Sequence, residues 1–345
     1  MNIDIFTRYS ELGASSRLRY FRWQKHWAEY GIRAEFHPFF NDGYLRSLYS
    51  GKKRRLSTYL KSLGKCIAST LRCRKNPCFI EYELLPGIPA GAELTLLGKR
   101  KYLLGFDDRV EIKYANSRIL QNKYADLISR ASGVVCANAF LAQWAKKYNS
   151  NVIEIPTVVE TGNYPAFSVE KNPEFTVVWI GNPATAHYLE NAAPALREMA
   201  KKVDFELLAI GVQALHIPGV SCRCEKWSEE SEGRLLASAH IGIMPLPADD
   251  QFAVGKSAYK LIQYMAAGIP AIASPVGENK RVIREGINGF FADSPEEWQQ
   301  AFCRLADNAG LRQEMGYRTR RIAEEEYSYA AYVGKFADFI KTALE

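Results

Sequence analysis

The stretch 176-TVVWIGNPATAHYLENAAPALREMA-200 decides how the chain folds. Val177, Val178, Trp179 and Ile180 form an apolar run of strand length, stopped by Gly181. Short apolar runs ended by glycine read as strands, and the residues that follow carry a helical pattern. Strand, glycine turn and helix make one βα unit. Toward the C-terminus, "DFELLAIG", "HIGIMPLP", "PAIASP" and "GFFAD" read as further strands with helices between them. Toward the N-terminus, "ETGNYPAFSVEKNPEF" reads as a linker because of its two prolines and glycine. The first half repeats the pattern. Ile3–Thr7 is a strand, Gly13 a turn, and "SSRLRYFRWQKHWAEYG" a helix that stops at Gly31. "IRAEFHPFF", "CFIEYELL", "RKYLLGFDD", "SGVVCAN" and "VIEIPTVV" follow as strands. Alternating β and α elements in both halves predict an α/β protein of two Rossmann-like, doubly wound domains, over 1–162 and 173–325. Ligands of such sheets lie at the carboxyl ends of the strands, so the cleft between the two domains is the expected site.

Composition narrows the possibilities. The 345 residues suffice for two cores without disulfides or metals. Seven cysteines show no zinc-finger spacing, and the Cys222/Cys224 pair reads as reduced thiols. "MNIDIFTRYSELG" lacks the basic-then-apolar order of a signal peptide. No window approaches the ~20 apolar residues of a membrane span. The net charge of +7 is concentrated, with ten Lys/Arg and no Asp/Glu between Gly43 and Ile80. That favours an anionic partner. Over 52–75 the cations alternate with Leu56, Tyr59, Leu60, Leu63, Ile67 and Leu71 at helical spacing. Such a helix suits an anionic membrane surface, or its apolar stripe is simply core. No nucleic-acid-binding motif accompanies the charge.

Four places carry candidate chemistry. In 255-GKSAYKLIQYMAAGIPAIASPVG-277, Lys256 and Lys260 stand four apart at the start of an apolar helix with Ser257 as its expected N-cap. Two ammonium groups beside a helix N-terminus suit a diphosphate; otherwise they are solvated surface lysines. Gly277, Glu278 and Asn279 follow a strand, where backbone N–H groups meet a ligand or form a plain turn. Gly13, Ser15 and Ser16 form the turn after the first strand, facing acceptor or phosphate, or capping a helix. Asp107 and Asp108 end the "LLGFDD" strand, where carboxylates can position or deprotonate a hydroxyl, or cap a turn. Glu81 and Glu83 form a second, less favoured pair. No histidine pairs with a Ser or Cys nucleophile, and His187 and His240 read as packing or surface residues.

The stretch from Gly255 through "PVGENKRVIREGINGFFADSPEEWQQAFCRLADNAGLRQEMGYRTRRIAEEEYS" resembles the C-terminal signature of retaining glycosyltransferases of family 4, which have the GT-B architecture. "WIGNPATAHYLENAAPAL", "KWSEESEGRLL" and "IGIMPLP" resemble a subgroup that builds bacterial surface polysaccharides, as do "ELGASSRLRYF", "FDD" and "IPTVVE" in the first half. The resemblance is closest over Gly181–Ser328. It implies that residues 326–345 form a helix crossing back to the first domain. It also implies a donor site in the second domain built from Gly181, Asn182, Lys256, Lys260, Gln263, Gly277, Glu278 and Asn279. Two features depart from the family. Its paired glutamates fall at Gly255 and Gln263, and the turn where it places Arg and Lys reads "GNPATAHY". Lys260, and secondarily Lys256, is therefore expected to neutralise the diphosphate, while Gln263 would bind ribose as a neutral amide.

The expected activity is transfer of a hexose, with retention, from a UDP- or GDP-sugar to an acceptor hydroxyl. Asp107, Asp108 and Lys260 are the expected catalytic groups, and neither metal nor cofactor is expected. The acceptor would be a polyprenyl-diphosphate-linked glycan of polysaccharide or lipopolysaccharide synthesis, at the inner face of the plasma membrane. Two alternatives stand beside this: a non-catalytic GT-B-like binding protein, and a nucleotide-sugar epimerase or hydrolase.

Overall fold

The computed structural model describes residues 1–49 and 56–345. It contains two compact units, one of Met1–Thr157 with Tyr332–Glu345 and one of Val158–Ala331. The change of unit falls just before the proline- and glycine-bearing linker.

The first unit is built on six parallel strands: β1 (Asn2–Phe6), β2 (Arg33–Phe36), β3 (Cys78–Glu81), β4 (Tyr102–Phe106), β5 (Gly133–Cys136) and β6 (Val152–Glu154). Their order is β2-β1-β3-β4-β5-β6. The chain first winds outward from β1 to β2, then returns to the other side of β1. That reversal leaves a crevice at the carboxyl ends of β1 and β3. The long helical pattern after Gly13 is broken in two, Ala14–Arg19 and Gln24–Glu29, by a 3-10 turn at Phe21–Trp23. The break occurs at Tyr20, whose buried hydroxyl lies where a Cβ on Gly105 would go. The terminal helix Tyr329–Leu344 closes this unit. Its Phe336 meets Trp23 and Trp27 edge-on at 4.9 and 5.3 Å, and all three are buried.

Within the 52–75 stretch, Leu56–Arg72 is helical, and residues 52–55 lie outside the described residues. The apolar stripe read from the sequence divides here. Tyr59, Leu63 and Ile67 pack on the core, whereas Leu56, Leu60 and Leu71 are 72%, 54% and 45% exposed. Among the described residues, no helix is long and apolar enough to cross a membrane.

The second unit has six further parallel strands: β7 (Phe175–Ile180), β8 (Phe205–Ile210), β9 (Ser221–Glu225), β10 (Ile241–Met244), β11 (Ala271–Ala273) and β12 (Gly289–Phe291). Their order, β12-β11-β10-β7-β8-β9, is that of a Rossmann sheet, with the reversal between β7 and β10. The sequence reading did not foresee β9, "SCRCE". An edge strand needs no continuous apolar run, and only alternate residues face the core. Cys222 and Cys224 are those residues, packed on the cluster around Leu207 and Ile217. Both are free thiols.

Phe336→Ala should lower the stability of the first unit by about 3–5 kcal/mol, since a large buried ring packed against two tryptophans is lost. Denaturation followed by tryptophan fluorescence would report it through Trp23 and Trp27.

Candidate functional site

The reversal between β7 and β10 makes the carboxyl end of β7 the natural ligand position in the second unit. The backbone there is drawn tight. A Cβ on Gly181 would lie 2.4 Å from the Trp179 ring. A Cβ on Gly211, which has φ +96°, would lie 2.0 Å from the Gly181 carbonyl oxygen. Asn182 caps the 3-10 segment Pro183–Asn191 in a reciprocal box with Thr185.

Lys260 projects over the buried Trp179, its Nζ 4.8 Å from the ring centroid. It is the second residue of the helix Tyr259–Ala266. The N-cap of that helix is Ala258, in the left-handed region at φ +51°, with no side-chain cap. Ser257, the cap expected from sequence, sits one residue too early, because the chain makes its left-handed bend at Ala258. Lys256 Nζ lies 5.4 Å over the Tyr188 ring, and the Tyr188 hydroxyl donates to Asp250 Oδ2 at 2.5 Å. Burial raises the Asp250 carboxyl, but bonds from Tyr188 and from the Phe252 and Ala253 amides, with the Lys256 charge, more than offset it and leave it lowered. Lys260 has no carboxylate within ion-pair distance among the described residues. Burial first, and the Lys256 charge second, push its ammonium down to about 7. A half-buried cation on a tryptophan face, beside a second cation, is a receptor for an anion.

Gly277 completes this region. It has φ +53°, and a Cβ there would lie 2.4 Å from the Val254 carbonyl oxygen, so the 277–279 loop rests on the segment before Gly255 and Lys256. Glu278 is buried and lies 3.4 Å from Arg281. Asn279 Nδ2 donates to the Ser274 carbonyl at 3.0 Å, so this side chain holds the end of β11. Gln263, expected to meet a ribose, is buried, with its side chain beside Tyr164. The Tyr164 hydroxyl in turn donates to Glu232, as does Trp227 Nε1.

The first unit also gathers its residues at a reversal, between β1 and β3. Gly13 is a close approach, where a Cβ would come 2.5 Å from that of Tyr9. Ser16 Oγ accepts from the Tyr9 amide at 3.1 Å and donates to Glu81 Oε2 at 2.5 Å. Ser15 Oγ lies 3.0 Å from Glu81 Oε1 and 2.7 Å from Asp107 Oδ2. Tyr82, strained at φ +62°, donates its hydroxyl to Asp107 Oδ1. The carboxylate that meets Asp107 through Ser15 is therefore Glu81, ranked below the Asp107/Asp108 pair by sequence. Asp108 is exposed, one residue on. Strand order supplies the missing signal, because Glu81 pairs with Gly105 on the adjacent β4, two residues before Asp107.

His240 is structural: its Nδ1 accepts from the Thr176 amide at 3.0 Å, and burial, then Arg312 and Lys171, push it down to about 4. Among the described residues, one cluster has metal-ligand composition, Asp4, His37 and Cys73. Asp4 already accepts from Arg100 at 2.6 Å, and a metal ion there would face that guanidinium.

Comparison with known proteins bears on the fold. Residues 174–308 match the family described as "Glycosyl transferases group 1". No curated protein matches the sequence significantly. Among solved structures, Alr3699/HepE from Anabaena, in complex with UDP and glucose, superposes with a TM-score of 0.75 at 11% identity, covering 99% of this chain and 100% of that one. A sucrose-phosphate synthase from Thermosynechococcus elongatus gives 0.69 at 12%, covering 99% and 98%. A glycosyltransferase from Rickettsia africae gives 0.68 at 15%, covering 100% and 98%. The chain thus has the GT-B fold of two Rossmann-like units.

The Lys260 environment makes a pH prediction. An unfolded lysine titrates near 10.5 and the folded Lys260 at about 7. Between those values the unfolded chain holds the extra proton, so stability rises with pH across that window. Lys260→Met should reduce this rise, leaving the share due to Lys171, which burial brings down to about 8, as read from denaturation midpoints collected through the window without ligand.

Proposed function

We propose that the protein is a glycosyltransferase whose second unit binds a nucleotide-sugar and whose first unit presents an acceptor hydroxyl. The observation that carries this reading is Lys260. It is an amine with no ion-pair partner among the described residues, its charge weakened by burial, stacked on Trp179 at the strand-order reversal and inside the segment matched to the glycosyl transferases group 1 family. A diphosphate there would restore its charge and share the helix N-terminus behind it.

In finer detail, the reaction proceeds with retention by front-face displacement, as the family resemblance implies. The bond to the diphosphate opens while the acceptor oxygen approaches the same face of the sugar. The chain's task is then to stabilise charge on the leaving oxygens, which Lys260, Lys256 and the backbone of the 277–279 loop would do. No enzyme carboxylate attacks the sugar, and no metal is part of this reading. UDP heads the list of donors, because the solved Anabaena relative is complexed with UDP and glucose.

The acceptor proposed is a lipid-linked glycan of bacterial polysaccharide or lipopolysaccharide synthesis, met at the inner face of the plasma membrane. The outward face of Leu56–Arg72 supports this, because exposed Leu56, Leu60 and Leu71 alternate with exposed Lys61, Lys65 and Arg72. Leucines flanked by cations suit the headgroup zone of an anionic bilayer. One observation favours a non-catalytic binding protein instead. Gly255 offers no side chain and Gln263 is buried, so both positions of the family's glutamate pair are without a carboxylate.

Calorimetric titration with UDP, GDP, CMP and dTDP tests the donor assignment. One nucleotide should bind, and Lys260→Ala should weaken it about tenfold or more, since a charge-assisted contact contributes roughly 1.5–3 kcal/mol. Binding without sugar transfer to any acceptor would support the non-catalytic reading. For the membrane face, flotation with phosphatidylglycerol vesicles should recover the protein, and Leu60→Glu with Leu71→Glu should release it while leaving nucleotide affinity unchanged.

A further inference from the structure

The pairing of Glu81 with Asp107 has a proton count that two ionised carboxylates cannot satisfy. Glu81 is buried in the first unit and Asp107 is half-buried beside it. Ser15 Oγ stands between them, 3.0 Å from Glu81 Oε1 and 2.7 Å from Asp107 Oδ2. A hydroxyl has one proton to give. The neighbouring donors are already committed: Ser16 and the Arg8 amide to Glu81 Oε2, Tyr82 to Asp107 Oδ1. If both acids were ionised, one carboxylate oxygen would face a Ser15 lone pair at hydrogen-bond distance in a buried site, which is costly. One added proton resolves this. With Glu81 Oε1–H donating to Ser15, Ser15 donates to Asp107, and both carboxyl contacts of Ser15 have their hydrogen; its longer contact, 3.3 Å to the Tyr82 hydroxyl, is left without one.

We propose that Glu81 and Asp107 hold a single proton between them through Ser15, and that Asp107, left as the one anion, receives the acceptor hydroxyl while Glu81 acts as its positioning residue. This rests on the reading that the first unit takes the acceptor. The proton resides on Glu81 because that carboxyl is the more deeply buried. Burial, then the Asp107 charge, raises it to about 7 against the bonds from Ser16, Arg8 and Ser15. The other titratable and charged groups around the pair are accounted for. Tyr20 and Tyr82 are themselves raised, chiefly by burial, and remain neutral. Arg8 is bound to Glu83, Arg19 donates to the Ile155 carbonyl, Cys136 is a buried thiol raised to about 12, and Asp108 is exposed. The ligand class is a polyol. Its hydroxyl donates to Asp107, whose remaining donors, Ser15 and Tyr82, fix the direction of the free lone pair.

The experiment has two arms. Carboxyl signals of glutamate-labelled protein, followed by NMR without substrate, should show one group titrating near 7 that disappears in Glu81→Gln. Turnover is then measured against pH at saturating nucleotide-sugar. In the wild-type enzyme, acceptor kcat/KM should fall above about 7, as Glu81 ionises and Ser15 loses a donor. Glu81→Gln keeps a permanent N–H donor, so this alkaline fall should vanish. Glu81→Ala should lower acceptor kcat/KM at every pH by roughly tenfold or more, with donor affinity unchanged. A spectrum with no glutamate carboxyl titrating near neutrality, or a Glu81→Gln enzyme whose pH profile matches the wild type, overturns the proposal. The first of these needs no turnover, so it stands apart from failure of the transferase reading, which the nucleotide titration reports.

Discussion

The buried charges around Glu83 hold the first unit's working edge in place. Its carboxylate takes Arg8 from the loop after β1 at 2.7 Å and Lys123 from the helix Lys123–Arg130 at 2.6 Å. Lys123 also meets Glu93 at 2.6 Å, and the Tyr114 and Tyr124 hydroxyls complete the shell. Burial alone would raise Glu83. Arg8, Lys123 and Lys113 outweigh it and bring the carboxyl down to about 2. Removing one partner from such a set leaves an uncompensated buried charge, at a cost of about 3–5 kcal/mol. The network anchors the chain two residues beyond Glu81, while Tyr82 between them takes the left-handed bend at φ +62°. Because of that bend, the positions of Glu81 and Tyr82 beside Asp107 depend on Glu83 staying anchored.

The second unit handles charge in the opposite way. Its working edge carries Lys260 on an indole face with no carboxylate within ion-pair distance among the described residues, and Asp250 is engaged by Tyr188. One edge is anionic and internally satisfied; the other is cationic and short of a counter-charge. A diphosphate-sugar and a hydroxyl-bearing acceptor differ in the same sense. On the proposed reading, each edge would suit one of the two reactants of a glycosyl transfer.

Much of the architecture was legible because buried parallel strands write themselves as short apolar runs. "TVVWI", "FELLAI" and "IGIM" needed only their flanking turns to be placed. The edge strand "SCRCE" lacked that signal, since half of its residues face solvent. The break at Tyr20 was hidden because its cause, the space above Gly105, lies on a strand far along the chain. The same limit governs the sites. Lys256 and Lys260 stand four residues apart in one segment and could be paired by spacing alone, although only Lys260 lies on the helix Tyr259–Ala266. Glu81, Ser15 and Asp107 come from three segments, and nothing in their local sequence predicts a shared hydroxyl. The burial of Gln263 was hidden for a related reason, because the direction of a side chain depends on packing contributed by segments far along the chain.

The first unit is completed by the last part of this chain, since Tyr332–Glu345 belongs to it and Phe336 packs edge-on against both Trp23 and Trp27. On the ribosome this inverts the usual order of assembly. Residues 1–157 emerge first but must wait, with two tryptophans uncovered, until the whole of Val158–Ala331 has been made. The intervening unit has every strand it needs before then, and can fold while its predecessor is still open. Closing so long a loop adds little to the equilibrium cost, because loop entropy grows only logarithmically. The delay is instead kinetic, and it leaves aromatic surface open on the nascent first unit in the meantime.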